Sequence, residues 1–407
     1  MELKPDTAGE WRTVKLGDVA ILDAGVNKDI SRMGYGCLYV TVGDLYAGSK
    51  ISTKSLGRID VSEEEIERFR LVAGDIVFNK SSVKRDGIAY PNIFHNADED
   101  VVFTGFAIRA RCKLDVANSA FVLHALRSSQ CRRWVINNSQ SSALTNLNGR
   151  IARLLPFSLP VALKEQDAIA GVLSDMDALI ESLEKLIAKK RDMKLGAMQM
   201  LLSGTTRLPG FTGAWRDGAV DDVAEINPES LGAGTLPGYE FKYISLEDVK
   251  NGSLNGWQNV TYKSAPSRAR QKLKSGDVLM ANVRPNLLGH LFHLSTDNNW
   301  VGSTGFSIIR CNVEKCDAAF LSQLIFSIII TRQIDVLTTG SNYPAISSSD
   351  VRRLRIPLPP LKEQQAIAGV LSGMDAEIDA LEMRLAKTQD IKIGMAQLLL
   401  TGKTRLI

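Results

Sequence analysis

The chain of 407 residues contains a long internal repeat, and this feature constrains its fold more than any other. Residues 163–208 align without a gap on residues 361–406, and 29 of the 46 positions are identical. The sequence Leu-Lys-Glu-Gln begins both copies. Repetition over this length does not arise by chance, so it predicts a molecule that is built twice.

The regions before the two copies correspond more loosely. Short matches occur in the same order in both: Trp11-Arg12 with Trp215-Arg216, Asp18-Val19-Ala20 with Asp222-Val223-Ala224, Gly74-Asp75 with Gly276-Asp277, and Thr104-Gly105-Phe106 with Thr304-Gly305-Phe306. Along the chain, a variable region is therefore followed by a similar segment, and this order occurs twice.

The two similar segments have the pattern of long helices. Apolar residues recur at alternating steps of four and three in both: Ile169, Leu173, Met176, Ile180, Leu183 and Ile187, and Ile367, Leu371, Met374, Ile378, Leu381 and Leu385. This spacing is typical of a coiled-coil seam. Each segment follows a proline-containing stretch and runs to a glycine suited to a helix C-cap, Gly204 or Gly402. About 40 residues at 1.5 Å each predict rods of roughly 60 Å that pair with each other. Chain order predicts that they are antiparallel.

Polar residues interrupt the seam at Lys190 and Lys194, and at Thr388 and Lys392. One interpretation is a register shift, in which Met193 and Ile391 take over the apolar face. The other is a polar layer that fixes how the helices pair. The sequence alone favours the register shift.

The variable regions, about 1–155 and 210–355, have a mixed α+β pattern. Short β-branched or aromatic runs are separated by Gly, Asn and Ser turns, at 37–42, 75–78, 101–108, 241–244, 277–280 and 305–309. A helix is predicted in each region, at 117–129 and 318–330. The predicted architecture is therefore two compact domains carried by two long helices.

Composition excludes several classes of protein. With 44% hydrophobic and 23% charged residues, the chain is typical of a globular protein, and its net charge of +4 is too small for a polycation. Five cysteines without a paired zinc spacing argue against a disulfide framework or a zinc site. The first residues do not resemble a secretion signal, and the most apolar stretch, 324–330, is too short to span a bilayer. We therefore expect a cytoplasmic protein without membrane contact.

Catalytic motifs are weak throughout. Gly402-Lys403-Thr404 lacks the first glycine of a phosphate-binding loop, and Asn227-Pro228-Glu229-Ser230 lacks the second proline and the aromatic residue of an adenine methyltransferase motif. The acidic and lysine residues around Glu240 and Lys242 imitate a nuclease site only loosely, and the first half does not repeat them. We therefore expect no catalytic residues and no metal ligands.

Cationic and polar clusters are the better candidates for a binding surface. Lys263, Arg268, Arg270, Lys272 and Lys274 lie in a stretch without an acid, whereas the matching stretch 59–70 contains four glutamates. A polar loop follows each Gly-Asp strand, and a second one precedes each long helix. Such side chains can donate to phosphates or base edges, although ordinary turn composition also explains them. The candidate DNA-binding residues are Asn79, Lys80, Ser82, Lys84, Arg85, Asn146, Asn148, Arg268, Arg270, Lys272, Asn282, Arg284, Asn286, Asn342 and Tyr343.

Together the motifs resemble one known family, the DNA-specificity subunits of type I restriction-modification systems. The resemblance covers essentially the whole chain. It depends on the Pro-rich entry into Leu-Lys-Glu-Gln and Ala-Ile-Ala at 163–170 and 361–368, on the helix ends at 201–211 and 399–406, and on the twofold variable and conserved order.

The resemblance implies a non-catalytic, sequence-specific subunit of α+β fold. Two target recognition domains, 1–155 and 209–355, would each read half of a bipartite asymmetric site in double-stranded DNA. Two antiparallel coiled-coil helices, 156–208 and 356–407, would separate them as a pseudo-twofold spacer. Two methyltransferase subunits would bind this spacer, joined by restriction subunits that translocate and cleave DNA. These partners would use S-adenosylmethionine, ATP and Mg²⁺, and this chain would hold no cofactor.

Two alternatives remain open at the level of sequence. One is a coiled-coil scaffold without a nucleic-acid role, which the low net charge favours. The other is a stand-alone DNA methyltransferase or nuclease, which the missing motifs oppose.

Overall fold

The computed structural model describes residues 10–48, 50–141, 144–338 and 344–406. The chain divides into two compact units. The first unit comprises Met1–Lys185 and Met383–Ile407, and the second comprises Leu186–Glu382. Each unit therefore contains one variable region and part of both long helices.

The first unit combines short strands with short helices. Its strands are Trp11–Lys15, Ala20–Ala24, Met33–Val40, Gly57–Ile59, Ile76–Asn79, Ser81–Ser82, Pro91–Ile93, Val101–Phe103, Ala107–Cys112, Gln140–Ser141, Thr145–Asn146 and Pro156–Pro160. Its helices are Leu16–Val19, Glu63–Phe69, Ser119–Arg127, Ser129–Asn138 and Gly149–Ala152, followed by the first long helix, Leu163–Leu202.

The second unit repeats this plan. Its strands are Arg216–Ala219, Ala224–Ile226, Glu240–Ile244, Val249–Lys250, Ser253–Leu254, Gln258–Thr261, Ala269–Leu273, Val278–Ala281, Leu291–Phe292, Trp300–Ser303, Phe306–Cys311 and Arg355–Leu358. Its helices are Val220–Val223, Ala318–Ile325, Ile328–Leu337 and Ser348–Arg353, followed by the second long helix, Leu361–Leu399. The sequence prediction of an α+β fold with two long helices is confirmed.

The main sheet has the same strand order in both units. In the first unit, the antiparallel strand Ala107–Cys112 lies between Ala20–Ala24 and Ile76–Asn79; in the second, Phe306–Cys311 lies between Ala224–Ile226 and Val278–Ala281. A second sheet in each unit contains a parallel pair, Met33–Val40 with Val101–Phe103 and Glu240–Ile244 with Trp300–Ser303. The duplication seen in the sequence is thus a duplication of topology.

The shared Gly-Asp sequence explains part of this frame. Gly74 and Gly276 adopt positive φ, +89° and +92°, at the turn that enters the main sheet. The carboxylate of Asp75 is 1% exposed, accepts the Val72 N–H at 2.8 Å and holds Arg111 through two hydrogen bonds of 2.9 and 2.7 Å. This ion pair raises the pKa of Arg111.

The second unit builds the same contact from its own residues. Asp277, also 1% exposed, accepts the Lys274 N–H at 2.7 Å and holds Arg310 at 2.8 and 2.7 Å. Because a buried carboxylate is tolerated only when it is paired and hydrogen-bonded, both aspartates are structural.

The Leu-Lys-Glu-Gln sequence anchors each long helix to its unit. In the first unit the buried Glu165 accepts from the indole of Trp11 at 3.3 Å and from two nitrogens of Arg405. In the second, the buried Glu363 accepts from Trp215 at 3.1 Å and from Arg207 at 2.5 and 2.6 Å. The start of one long helix is therefore held by the chain that follows the other.

The neighbouring glutamine fixes the loop before a short helix. The Gln166 amide accepts the Asn118 N–H at 2.7 Å, and Gln364 accepts the Asp317 N–H at 2.9 Å. Asn118 and Asp317 are in turn the N-caps of Ser119–Arg127 and Ala318–Ile325.

Within each unit the two long helices run antiparallel and are joined by lysine–carboxylate pairs. In the second unit Lys190 contacts Glu377 at 2.6 Å and Lys194 contacts Asp375 at 2.5 Å, so rising numbers on one helix meet falling numbers on the other. In the first unit Lys392 makes the equivalent contact with Asp177. The prediction of antiparallel pairing is confirmed within each unit.

The favoured interpretation of a register shift in the seam is wrong. Met193 and Ile391 are 49% and 46% exposed and do not take over the apolar face, while Lys194 and Lys392 are only 19% and 21% exposed. The interruptions form a polar layer, because each ammonium group reaches a carboxylate on the opposite helix.

Two local expectations from the sequence also need correction. The predicted helix 117–129 is the helix Ser119–Arg127, and a separate helix capped by Ser128 follows it, whereas the predicted helix 318–330 runs across a bend between Ala318–Ile325 and Ile328–Leu337. The Thr-Gly-Phe match does not reflect equivalent positions. The matching Gly-Asp turns make Asn79 equivalent to Ala281. Asn79 pairs with Ala107, and Ala281 pairs with Phe306. Ala107 therefore corresponds to Phe306, and Phe106 corresponds to Gly305.

Within the described residues, no single helix is long and apolar enough to cross a membrane. One bent pair, Ala318–Ile325 with Ile328–Leu337, reaches the required length and hydropathy only as a pair. Several of its apolar side chains, such as Phe320 and Ile334, lie in the core of the second unit.

Candidate nucleic-acid interface

The structure brings the two polar loops of the first unit together at one edge of the main sheet. Lys80 directly follows the strand Ile76–Asn79; its N–H donates to the carbonyl of Phe106 at 2.8 Å, and its carbonyl accepts from Leu147 at 2.9 Å. The strand Ser81–Ser82 pairs with Thr145–Asn146. We call this region, formed by residues 80–87, 104–106 and 144–148, the first loop edge.

The candidates on the first loop edge differ in availability. Lys84 and Arg85 are exposed, whereas Lys80, Ser82 and Asn146 are half-buried. The ammonium group of Lys80 donates to the carbonyl of Gly105 at 2.7 Å, and burial lowers the pKa of Lys80. Lys84 and Arg85 are thus the candidates that can reach a phosphate without rearrangement.

Three asparagines have local structural partners. Asn79 is fully buried, donates to the carbonyl of Ser81 at 2.7 Å and accepts the Tyr90 N–H at 3.0 Å. We therefore remove Asn79 from the contact candidates, because both ends of its amide are used inside the protein. Asn146 accepts from Ser81 at 2.5 Å, and Asn148 caps the helix Gly149–Ala152.

An equivalent edge exists in the second unit. The Asn282 N–H donates to the carbonyl of Gly305 at 2.8 Å, and its carbonyl accepts from Ile346 at 2.9 Å, the same pattern as at Lys80. The Arg284 N–H donates to the carbonyl of Pro344 at 2.7 Å. Residues 282–287, 304–305 and 344–347 form the second loop edge.

The second loop edge presents Arg284 and Asn286 to solvent. Arg284 has a positive φ of +50°, a conformation that costs energy for a residue other than glycine and so indicates a loop held by its surroundings. Asn282 is half-buried and accepts a hydrogen bond from Ser307 at 2.8 Å. The candidates Asn342 and Tyr343 lie outside the described residues.

The basic cluster of the second unit lies along an edge strand. Ala269–Leu273 is the last strand of its sheet and pairs with Trp300–Ser303. Arg268 is exposed at the end nearer the second loop edge, where its carbonyl accepts the Thr304 N–H at 2.8 Å. Arg268 therefore extends the cationic surface of the second loop edge.

The rest of the cluster is less available than the sequence indicates. The guanidinium of Arg270 lies 4.9 Å from the ring centroid of Tyr262, and Lys272 is half-buried. Lys274, at the far end of the strand, forms an ion pair with Glu229 that lowers the pKa of that carboxyl. Its charge is therefore partly neutralised within the protein.

Sequence reasoning missed exposed apolar residues. On the first loop edge Phe106 is 63% and Val83 is 86% exposed. On the long helices, three repeat-related pairs are about half exposed: Met193 and Ile391, Leu195 and Ile393, and Met200 and Leu398. A search of the repeated segments for apolar residues outside the seam would have found the three helix pairs. It would not have found Phe106, which lies outside these segments.

Comparison with known proteins agrees with the resemblance in the sequence. The family model for the type I restriction modification DNA specificity domain matches residues 213–388. A Methanocaldococcus jannaschii protein, named as a candidate MjaX specificity subunit of a type I restriction enzyme, is 26% identical over 97% of this chain and 94% of its own. The type I restriction enzyme MjaVIII specificity subunit of the same organism is 24% identical over 75% of this chain and 74% of its own.

Two solved structures share the fold. The S subunit of a type I restriction-modification system from M. genitalium superposes with a TM-score of 0.62 at 15% identity, over 98% of both chains. A chain from a structure on complex assembly and conformational transition of the type I R-M system superposes with a TM-score of 0.54 at 17% identity, over 99% of this chain and 100% of that one. With the matched domain and the duplicated units, these likenesses lead to one conclusion: the chain is similar over nearly its whole length to specificity subunits of type I restriction-modification systems, and residues 213–388 match their DNA specificity domain.

Proposed function

We propose that each unit reads one half of a bipartite, asymmetric DNA sequence through its loop edge. The observation that carries this proposal is the equivalence of the two loop edges. The same backbone hydrogen bonds at Lys80 and Asn282 hold them in place, yet their exposed residues differ. Two equivalent frames with different side chains suit two different base sequences.

The long helices act as a spacer of fixed register in this proposal. The lysine–carboxylate pairs of Lys194 with Asp375 and of Lys392 with Asp177 oppose sliding of one helix along the other. A slip would leave partly buried charges without a partner, which is costly.

The same helices dock two methyltransferase subunits. The exposed residues Met193 and Met200 are seven positions apart on one face of the first long helix and lie in the second unit, and their repeat equivalents Ile391 and Leu398 lie in the first. One apolar patch per unit suits two copies of one partner, since exposed apolar surface of this kind marks protein contacts.

The chain itself contributes no chemistry in this proposal. The methyltransferase subunits would modify adenine with S-adenosylmethionine, and restriction subunits would use ATP and Mg²⁺ to translocate and cleave. Among the described residues, no group of three or more His, Cys, Asp or Glu side chains could hold a metal ion. A methylation and cleavage assay of the purified chain, with and without partner subunits, tests this division of roles.

The decisive experiment combines genome-wide mapping of methylated adenine with a spacer variant. The wild-type complex is expected to methylate a bipartite site. Insertion of four residues after Lys189 should change the spacing between the half-sites and leave the half-sites unchanged. Unchanged spacing with altered bases would contradict the assignment of spacing to the helices and of base reading to the units.

Docking is tested by charge substitution of one patch at a time. Met193→Lys with Met200→Lys, and separately Ile391→Lys with Leu398→Lys, should each lower the number of bound methyltransferase subunits from two to one in native mass spectrometry. Loss of both copies from a single patch variant would contradict one docking site per unit. A scaffold without a nucleic-acid role would assemble with partners but give no site-specific methylation.

A further inference from the structure

Phe106 is exposed at a position where folding does not require an aromatic residue. Its side chain is 63% accessible, immediately before the strand Ala107–Cys112. Its carbonyl accepts the Lys80 N–H, which places the residue in the first loop edge. A single exposed apolar residue is ordinary, but Phe106 shares the first loop edge with the exposed residues Val83 and Leu144, and grouped exposed apolar residues mark contact sites.

The second unit shows what the fold itself needs at this point. Strand register makes Phe106 equivalent to Gly305 and makes Ala107 equivalent to the fully buried Phe306. A Cβ atom at Gly305 would lie 2.6 Å from the Leu246 side chain, so a side chain there would require Leu246 to shift. The core position is taken by Ala107 in the first unit, and Phe106 remains outside the core.

The surroundings of Phe106 combine apolar and cationic groups. Val83, 86% exposed, precedes the exposed residues Lys84, Arg85 and Asp86 in the same loop edge. Leu144, 42% exposed, lies beside the strand Thr145–Asn146 that pairs with Ser81–Ser82. The two loop cations suit phosphates, and the exposed apolar side chains of the same loop edge suit the apolar features of base edges.

We infer that Phe106 contacts the C5-methyl group of a thymine in the first half-site and so determines one base of the recognised sequence. This inference rests on the proposed function of the unit as a reader of DNA. The thymine methyl is the apolar group that the major groove displays, and aromatic or small apolar side chains contact it. The contact is uncharged, so its contribution does not depend on salt.

The test uses Phe106→Ala in complex with the methyltransferase subunits, on duplexes in which each thymine of the first half-site is replaced in turn by uracil. Wild type should lose about fourfold in affinity at one position, the value expected for burying one methyl group. Phe106→Ala should bind the cognate duplex about tenfold more weakly and no longer distinguish thymine from uracil there. Its salt dependence should equal that of wild type.

Leu114→Ala is the matched control. Leu114 is 70% exposed and follows the other end of the same strand, about 20 Å away at 3.3 Å per residue. It should bind every duplex as wild type does. Both variants should keep the wild-type melting temperature, because both side chains lie outside the core.

The outcomes separate this inference from the proposed function. A wild-type complex without preference for any bipartite site would remove the proposed function itself. A wild-type complex with such a preference, but a Phe106→Ala variant with an unchanged uracil profile, would overturn only the thymine contact. Equal loss on all duplexes, or loss of a methyltransferase subunit in native mass spectrometry, would overturn it as well.

Discussion

The two units differ most at one point of their shared frame. Before the Gly-Asp turn, the first unit has the helix Glu63–Phe69, and the second has the edge strand Ala269–Leu273. Ser62 and Glu65 cap the helix reciprocally, and three glutamates occupy its first turn. The strand instead carries Arg270 and Lys272.

The surroundings of this point are the same in both units. Leu71, just after the helix, donates its N–H to Val101 at 2.8 Å, and the strand Ala269–Leu273 pairs with Trp300–Ser303, the equivalent of Val101–Phe103. The buried Asp–Arg pair follows at once in both. The frame thus tolerates exchange of a whole element and of its charge at the sheet edge, while the buried polar contacts stay constant.

The largest effect is expected from removing the buried Asp–Arg pair that both units share. Asp75→Ala and Asp277→Ala should each destabilise their own unit by about 2–4 kcal/mol, because the arginine and the turn N–H lose a buried carboxylate. Unit-resolved hydrogen exchange in urea measures this. Asp100→Ala is the control, since its ion pair with Arg70 at 3.4 Å is exposed and should contribute less than about 1 kcal/mol. Similar losses for Asp100→Ala and Asp277→Ala would contradict a frame built on the buried pairs.

The next largest effect tests the difference in charge between the strand Ala269–Leu273 and the helix Glu63–Phe69. Arg268→Ala with Arg270→Ala should weaken binding to every DNA sequence, by roughly 60-fold at 0.1 M salt, and flatten the salt slope by about 1.8 if both neutralise phosphates. Sequence preference should survive. Glu63→Gln with Glu64→Gln, at the matching place in the first unit, is the counterpart. A larger loss from the glutamate variant would reverse the proposed roles of the two elements.

A smaller effect is expected at the second loop edge. If Arg284 reads a base, Arg284→Ala should cost roughly 1–3 kcal/mol on the cognate site and relax one position of the second half-site only. Titration against single-base-substituted duplexes at several salt concentrations measures this. Uniform loss across sequences would make Arg284 a phosphate contact instead.

The smallest effect concerns the buried His293, whose counterpart in the first unit is not a histidine. His293 is 3% exposed and its Nε2 has no hydrogen-bond partner, whereas the equivalent residue in the first unit is the buried Phe94. His293→Phe should stabilise the second unit by about 1 kcal/mol at pH 7, since it removes an unsatisfied buried polar group.

The gain from His293→Phe should grow in acid. Burial lowers the pKa of His293, so the folded unit holds the ring neutral while the unfolded chain takes up a proton below about pH 6.5. Wild-type stability therefore falls as the pH drops through that value, and the variant should lose this part of the decrease. Urea midpoints at pH 7 and pH 5 measure the difference. An equal gain at both pH values would mean that His293 does not titrate on unfolding.

Local pattern was sufficient to predict the repeat, the two long helices and the α+β character of the variable regions. The heptad spacing and the terminal glycines define the helices through periodicity and capping, which are properties of neighbouring residues. Pattern did not decide between a register shift and a polar layer, because the partners of Lys194 and Lys392 lie some 180 and 215 residues away.

The sequence by itself determined that this protein is built twice and which residues were candidates for DNA contact. Only the tertiary structure decided which candidates face solvent: Asn79 is buried and Lys274 is paired, whereas Lys84 and Arg85 are exposed. Likewise, a one-residue difference in strand register buries Phe306 and exposes Phe106. The physical reason is that adjacent positions of a strand face opposite sides of a sheet, so availability depends on pairing with distant segments rather than on residue type.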